Sequence, residues 1–169
     1  MKSIDTRDLY KRLEELSDLR STVNNAKEEL QEAKKALAAH DPEQPNAAPD
    51  DELFHEITKE LEGDVDDATD ALDDAENKYG TEEQEELAAL EALMEEIGER
   101  TMRDGEQMIP TSNGGFEDYA REIASDLYGK EISDAKWPFS CIDWERAAEE
   151  LEQDHTLVSF QGEDYLIRL

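Results

Sequence analysis

The chain has 169 residues, of which 47 are Asp or Glu and 17 are Lys or Arg, for a formal net charge of −30. Phosphate binding needs a cationic footprint, so this balance excludes direct binding to nucleic acid or to an anionic membrane as the main activity. The single cysteine, Cys141, excludes an internal disulfide and the cysteine-rich zinc sites. No apolar run approaches the roughly 18 residues of a membrane span. The opening MKSIDTRDLYKRLEEL lacks the apolar centre of a signal peptide, so a soluble cytoplasmic protein is expected.

The first predicted element is a long helix from about Asp5 to Ala39. Leu9, Leu16, Val23, Leu30 and Leu37 recur every seven residues, and Leu19, Ala26 and Ala33 follow three residues after Leu16, Val23 and Leu30. That spacing is the seam of a coiled coil or helical hairpin. The run stops at His40-Asp41-Pro42, and DPEQPNAAP reads as a turn or linker. A second helix is predicted over Asp51–Tyr79, with Phe54, Leu61, Ala68 and Ala75 in one row and Val65, Leu72 and Tyr79 in the other. Gly80 is expected to end it as a C′ residue. Thr81-Glu82-Glu83-Gln84 reads as a capping box for a third helix, with its seam at Leu87, Leu90, Met94, Ile97 and Thr101.

Residues 107–115 read as a second linker, closing on Gly114-Gly115. A small module follows at 116–169. Phe116, Ala120, Ile123 and Leu127, with Tyr119 alongside, predict a short amphipathic helix ended by Gly129. Trp137-Pro138-Phe139 is an aromatic loop. Asp143 is the predicted N-cap of a helix whose apolar face is Trp144, Ala147, Ala148 and Leu151. Thr156–Phe160 and Asp164–Leu169 read as a hairpin around Gly162. Trp137, Trp144, Phe116, Tyr119, Phe139 and Phe160 are expected to serve its core, with Tyr128 and Tyr165 half-exposed. The predicted fold is therefore mainly α: an antiparallel coiled-coil hairpin or three-helix region over 1–106, then a small α+β module with a C-terminal β-hairpin.

Enzyme signatures are missing. The chain has no glycine-rich phosphate loop and no Gly-x-Ser-x-Gly elbow, and His55-Glu56 lacks the second histidine of a metalloprotease helix. His40, His55 and His155 read as surface or capping residues, and Cys141 as a small buried filler. Asp64, Asp66, Asp67 and Asp70 fail the calcium-loop pattern, because Thr69 stands where glycine is needed and Ala75 where glutamate is. No catalytic residue, cofactor or metal is expected.

The acid is concentrated. Residues 1–49 carry a net charge of −2, residues 50–106 a net of −19 and residues 107–169 a net of −9. Laid side by side, the second and third helices would show roughly one charge per 3 Å of axis, against about 1.7 Å for duplex DNA. This field suits a basic DNA-binding cleft. The expected partner-binding residues are Glu60, Asp64, Asp66, Asp67, Asp70, Asp73, Asp74, Glu76, Glu82, Glu83, Glu86, Glu91 and Glu95. An alternative is a coiled-coil adaptor or assembly protein that acts through the seam at Leu16, Val23 and Leu30. A homodimer is compatible with either.

The order FEDYAREIASDLYG, aromatic loop, IDWERAAEELEQDHT and GEDYLIRL is similar to the C-terminal module of ArdA-type antirestriction proteins and of small phage and mobile-element proteins that share it. Phe116, Tyr119 and Ala120, then Ile142-Asp143-Trp144, Ala147-Ala148 and Leu151, then Tyr165 and Arg168 carry the resemblance, over about 53 of 169 residues. It implies a packing motif rather than a catalytic one, and an acidic mimic of duplex DNA. The resemblance implies a type I restriction–modification enzyme as the family's partner and an anti-defence setting. The partner expected for this chain is more broadly a basic DNA- or RNA-binding protein of a bacterial defence system, of the restriction–modification or CRISPR type. ArdA-type chains are strings of small α/β modules, whereas residues 1–106 read as coiled-coil helices.

Overall fold

The computed structural model describes residues 3–40, 52–111, 115–129, 132, 137 and 139–169. The protein is mainly helical, with a small antiparallel sheet that ends in a C-terminal hairpin. Its elements are β1 (Ile4–Asp5), α1 (Thr6–Ala39), α2 (Glu52–Lys78), α3 (Thr81–Ile97), α4 (Glu99–Asp104), β2 (Gln107–Pro110), α5 (Gly115–Tyr128), α6 (Trp144–Glu152), β3 (Thr156–Phe160) and β4 (Glu163–Ile167). The proline-rich stretch of residues 41–51 and the turn residues 112–114 lie outside the described residues, as do Pro138 and the Phe139 side chain.

Two compact units divide the chain: residues 14–87 form one, and residues 1–13 with 88–169 form the other. In the first, the heptad seam is the packed face. Val23 and Ala26 of α1 are buried with Ala75 of α2, and Leu72 and Tyr79 close over them. At the other end of the same pair, the His40 and Phe54 rings stack with centroids 4.2 Å apart. Residues near 25 meet residues near 75 while residue 40 meets residue 54, so α1 and α2 run antiparallel. Alanine at Ala26 and Ala75 lets the backbones approach and keeps helix propensity high. Lys27 Nζ reaches Glu76 Oε1 across the pair at 3.0 Å, with both side chains about half exposed, which contributes at most about 1 kcal/mol.

Gly80 has a different role from the one expected. It does not adopt the left-handed conformation of a C′ glycine. It caps α3 instead: the Gly80 carbonyl accepts from Gln84 N–H at 3.1 Å, and Glu83 Oε2 accepts from Gly80 N–H at 3.0 Å. The cap therefore sits one residue before Thr81, and Glu83 supplies the reciprocal half of the box. Gly98, with φ of 86°, separates α3 from α4, so the helix stops short of Thr101.

In the second unit the expected linker is a strand. β2 pairs antiparallel with β1 (Ile4 opposite Met108) and with β4 (Ile109 opposite Leu166), giving the sheet order β1-β2-β4-β3. Met108 and Ile109 are buried, because β2 is an interior strand with a covered side chain on each face. Through β1, residues 1–13 share this unit with residues 88–169. On one face of the sheet, Ile109 and Leu166 pack with Phe116, Ala120 and Ala148 of α5 and α6, with Tyr119, Trp144 and Leu151 at the margin. On the other face Met108, Val158, Tyr165 and Ile167 are buried too. Asp143 caps α6 as expected, its Oδ1 accepting from Arg146 N–H at 3.1 Å. Several apolar side chains depart from the expectation: Tyr165 is buried, whereas Leu127, Tyr128 and Trp137 are exposed, and so is Cys141.

Thr6 closes this unit. It is the fully buried polar residue among those described. Its Oγ1 donates to the Thr101 carbonyl at 3.0 Å and accepts from Glu106 N–H at 2.8 Å. Its own N–H donates to the Glu106 carbonyl at 2.9 Å. Thr6→Val keeps the shape and removes the hydroxyl, leaving Glu106 N–H without this partner and the Thr101 carbonyl with Gly105 N–H alone, at 3.3 Å. The expected loss is about 1–3 kcal/mol in urea unfolding; an unchanged midpoint would mean that water takes the hydroxyl's place.

Candidate functional site

The acidic face is built by α2 from its own periodicity. With about 100° between successive residues, the apolar rows centre on one side of the helix and Asp70 lies on the other. Glu56, Glu60, Glu62, Asp66, Asp67, Asp73 and Asp74 fall within roughly 90° of Asp70. Asp64 and Glu76 flank that half. All ten carboxylates are exposed. From Glu56 to Asp74 the helix advances about 27 Å, and with Lys59 counted the face carries about one net charge per 4 Å. A single strand of duplex DNA carries one per about 3.4 Å. The charges hold these positions because the opposite side of α2 is fixed on α1.

The expected partner-binding residues do not all behave alike. Glu60, Asp64, Asp66, Asp67, Asp70, Asp73 and Asp74 form the stripe on α2. Glu76 is drawn to Lys27. On α3, Glu82 is exposed, Glu83 is engaged in the cap at Gly80, and Glu86 is half-buried. Glu91 and Glu95 belong to the other compact unit, Glu91 half-buried and Glu95 exposed. The candidate surface is therefore the outer half of α2, with Glu82 beyond its C-terminal turn.

A second acidic feature escaped the sequence reading. Between α5 and α6 lies a cleft of about 180 Å³, walled by Glu117, Glu145, Glu149 and Glu152 and floored by Phe116 and Ala148. Glu145, Glu149 and Glu152 follow the i, i+4, i+7 spacing of one helical face, which was available in the sequence. Within α5, Arg121 binds Glu117 and Asp118 at 3.2 and 3.1 Å, and across to α6 its guanidinium lies over the Trp144 ring. His155 is pinned as well: its Nδ1 lies 2.8 Å from the Leu151 carbonyl, and its ring meets Phe116 and Tyr119 edge-on. That is a packing role. Among the described residues, no three His, Cys, Asp or Glu side chains gather as a metal site requires, and no helix is long and apolar enough to cross a membrane.

Two tyrosines of this unit are held neutral. Burial raises the pKa of the Tyr119 phenol, with Glu106 and Glu122 adding to the effect and Arg168 opposing it. Tyr165 is raised by burial and by its hydrogen bond to Glu163, in which Tyr165 Oη donates to Oε2 at 3.0 Å. Neither arrangement activates a nucleophile; both favour the protonated phenol. Comparison of the chain with protein-family models, curated proteins and solved structures gives no match.

The raised phenols set a sign for alkaline stability. The unfolded chain releases these protons near pH 10, before the folded one does, so the folded state holds more protons there. Stability from this source is full below about pH 10 and is lost as pH rises through the higher folded values. The urea midpoint is expected to fall above pH 10, and Tyr119→Phe to flatten the fall; an equal slope in that variant would locate the effect elsewhere.

Proposed function

We propose that this chain is a non-enzymatic, acidic mimic of duplex DNA. On this reading it occupies the basic nucleic-acid-binding cleft of a bacterial defence protein, in the cytoplasm of the host cell. The observation that carries the proposal is the outer half of α2, where exposed carboxylates repeat at close to the axial density of one DNA strand on a helix whose other side is packed. The similarity of the C-terminal module to ArdA-type antirestriction proteins points to the same setting, that of a phage or mobile element acting against restriction–modification or CRISPR machinery. The seam supports the acidic face over the adaptor alternative, because Val23 and Ala26 are already covered within the chain.

Contacts of this kind are electrostatic, so affinity should fall steeply with salt as the screening length shrinks below about 10 Å. One exposed pair is worth at most about 1 kcal/mol, so Asp70→Asn should weaken binding by less than about fivefold. Reversing Asp66, Asp67, Asp70, Asp73 and Asp74 to lysine together should abolish it while leaving the helical circular dichroism intact. The measurement is a pull-down from bacterial lysate at physiological ionic strength, eluted with duplex DNA and read by mass spectrometry. DNA-binding proteins released by the duplex, and missing with the five-site variant, are the expected result. Partners that survive both the duplex and the reversals would overturn the proposal.

A further inference from the structure

The outer edge of β3 offers a second recognition surface, independent of the α2 face. β3 ends the sheet order, with β4 on one side and no described strand on the other. Gln161 and Gly162 form a two-residue hairpin loop with φ of 50° and 80°, closed by the Phe160–Glu163 pair. In such a loop the closing pair exchanges both backbone hydrogen bonds, and bonded pairs then alternate along the ladder. Val158–Tyr165 and Thr156–Ile167 are therefore bonded, whereas Leu157–Leu166 and Ser159–Asp164 are not. An independent contact agrees with this phase: the Asp164 carbonyl faces away from β3 and accepts from Thr111 N–H at 3.0 Å. By the same alternation, the N–H and C=O groups of Leu157 and Ser159 point out of the sheet's open edge.

Edge strands are normally blunted by a charge, a proline or a bulge. Thr156–Phe160 has none of these, in a chain whose residues are 38% charged, and its register with β4 is unbroken. Leu157 is 57% exposed beside the open backbone groups. The acids gather at the two ends of the strand, Glu152 and Asp154 before it and Glu163 and Asp164 after it, and they outnumber the one cation there, Arg168, which follows the Thr156–Ile167 pair. A second copy would bring the same acids and another −30 to the same edge.

We propose that β3 accepts an extended segment of another protein as an added strand, and that this segment carries Lys or Arg on both sides of a short β-branched run. Backbone pairing with Leu157 and Ser159 supplies the register, and the flanking acids select the cationic ends. β3 and α2 belong to different compact units, and recognition at β3 uses none of the α2 acids, so this goes beyond the DNA-mimic reading and does not depend on it.

The test uses the full ¹⁵N-labelled chain and the blocked peptide KKTVTVTKK, read by amide hydrogen exchange. Saturating peptide should slow exchange at Leu157 and Ser159 by at least about tenfold, and EETVTVTEE should not. Leu157→Pro, tolerated where the N–H faces solvent, should abolish the protection. Should that variant fail to fold, Leu157→Lys keeps the backbone and should weaken the lysine peptide by repulsion. Equal protection by both peptides, protection at neither amide, or protection that rises with protein concentration alone would overturn the proposal, the last by giving the edge to a second copy. Peptide adsorbed on the α2 acids leaves the Leu157 and Ser159 amides unchanged, so the two readings fail separately.

Discussion

Thr6 is buried, and its hydroxyl serves two backbone groups that lie about a hundred residues further along the chain, the Thr101 carbonyl and the Glu106 N–H. The C-terminal module needs this closure. β2 is an interior strand only because β1 pairs with its far side, and β1 is just two residues long. So short a strand cannot hold its place by pairing alone. Beside it, Arg7 Nη2 donates to the Asp104 carbonyl at 2.8 Å. Gly105 turns there with φ of 85°, where a Cβ would overlap the Arg7 guanidinium. The cost of closing so long a loop grows only slowly with its length, so a few well-satisfied polar contacts suffice to join the N-terminus to the sheet.

Charge imposes the other constraint. Carboxylates in this number cannot be buried without partners, so each helix must sort its acids away from its packed face. α2 does so for most of its acids: the apolar rows take one side and the carboxylates around Asp70 the other, with Asp64 and Glu76 at the margins. Like charges three and four residues apart then repel along the exposed stripe. The seam with α1 must offset that repulsion, assisted by lysine on the more nearly neutral α1.

The helices were legible because their heptads are regular over several turns, and the α6 cap and the hairpin because Asp143 and Gly162 stand where local chemistry requires them. The failures have a common physical source. β2 was invisible because Gln-Met-Ile-Pro is too short to show alternation and ends in proline; its strand identity comes from β1 and β4, distant in sequence. Gly80 could end one helix or begin the next, and only the Glu83 side chain decides. Leu127 lies on the apolar side of its helix by periodicity yet sits past the point where α5 meets its neighbours, so the pattern outran the packing. The α2 acids were legible as a cluster, but their arrangement opposite the seam became readable only once the seam was seen to be covered by α1. The cleft between α5 and α6 needed two elements at once, and neither announces it alone.

The choice between the two acidic residues adds a separate argument about α2. Aspartate is a poorer helix former than glutamate, by up to about half a kcal/mol per residue in a helix interior. Selection for stability or solubility alone would therefore favour glutamate throughout. α3 follows that preference: every acid in TEEQEELAALEALMEEI is a glutamate. The outer half of α2 departs from it, with Asp66, Asp67, Asp70, Asp73 and Asp74 within two and a half turns. The two helices belong to one chain and share one solvent, so a general acidification of the surface does not account for the difference. A shorter side chain holds its carboxylate nearer the helix axis and has less rotamer freedom to lose when a partner binds. Such a substitution sacrifices helix stability for fixed charge positions, which is the exchange expected of a surface read by its charge spacing.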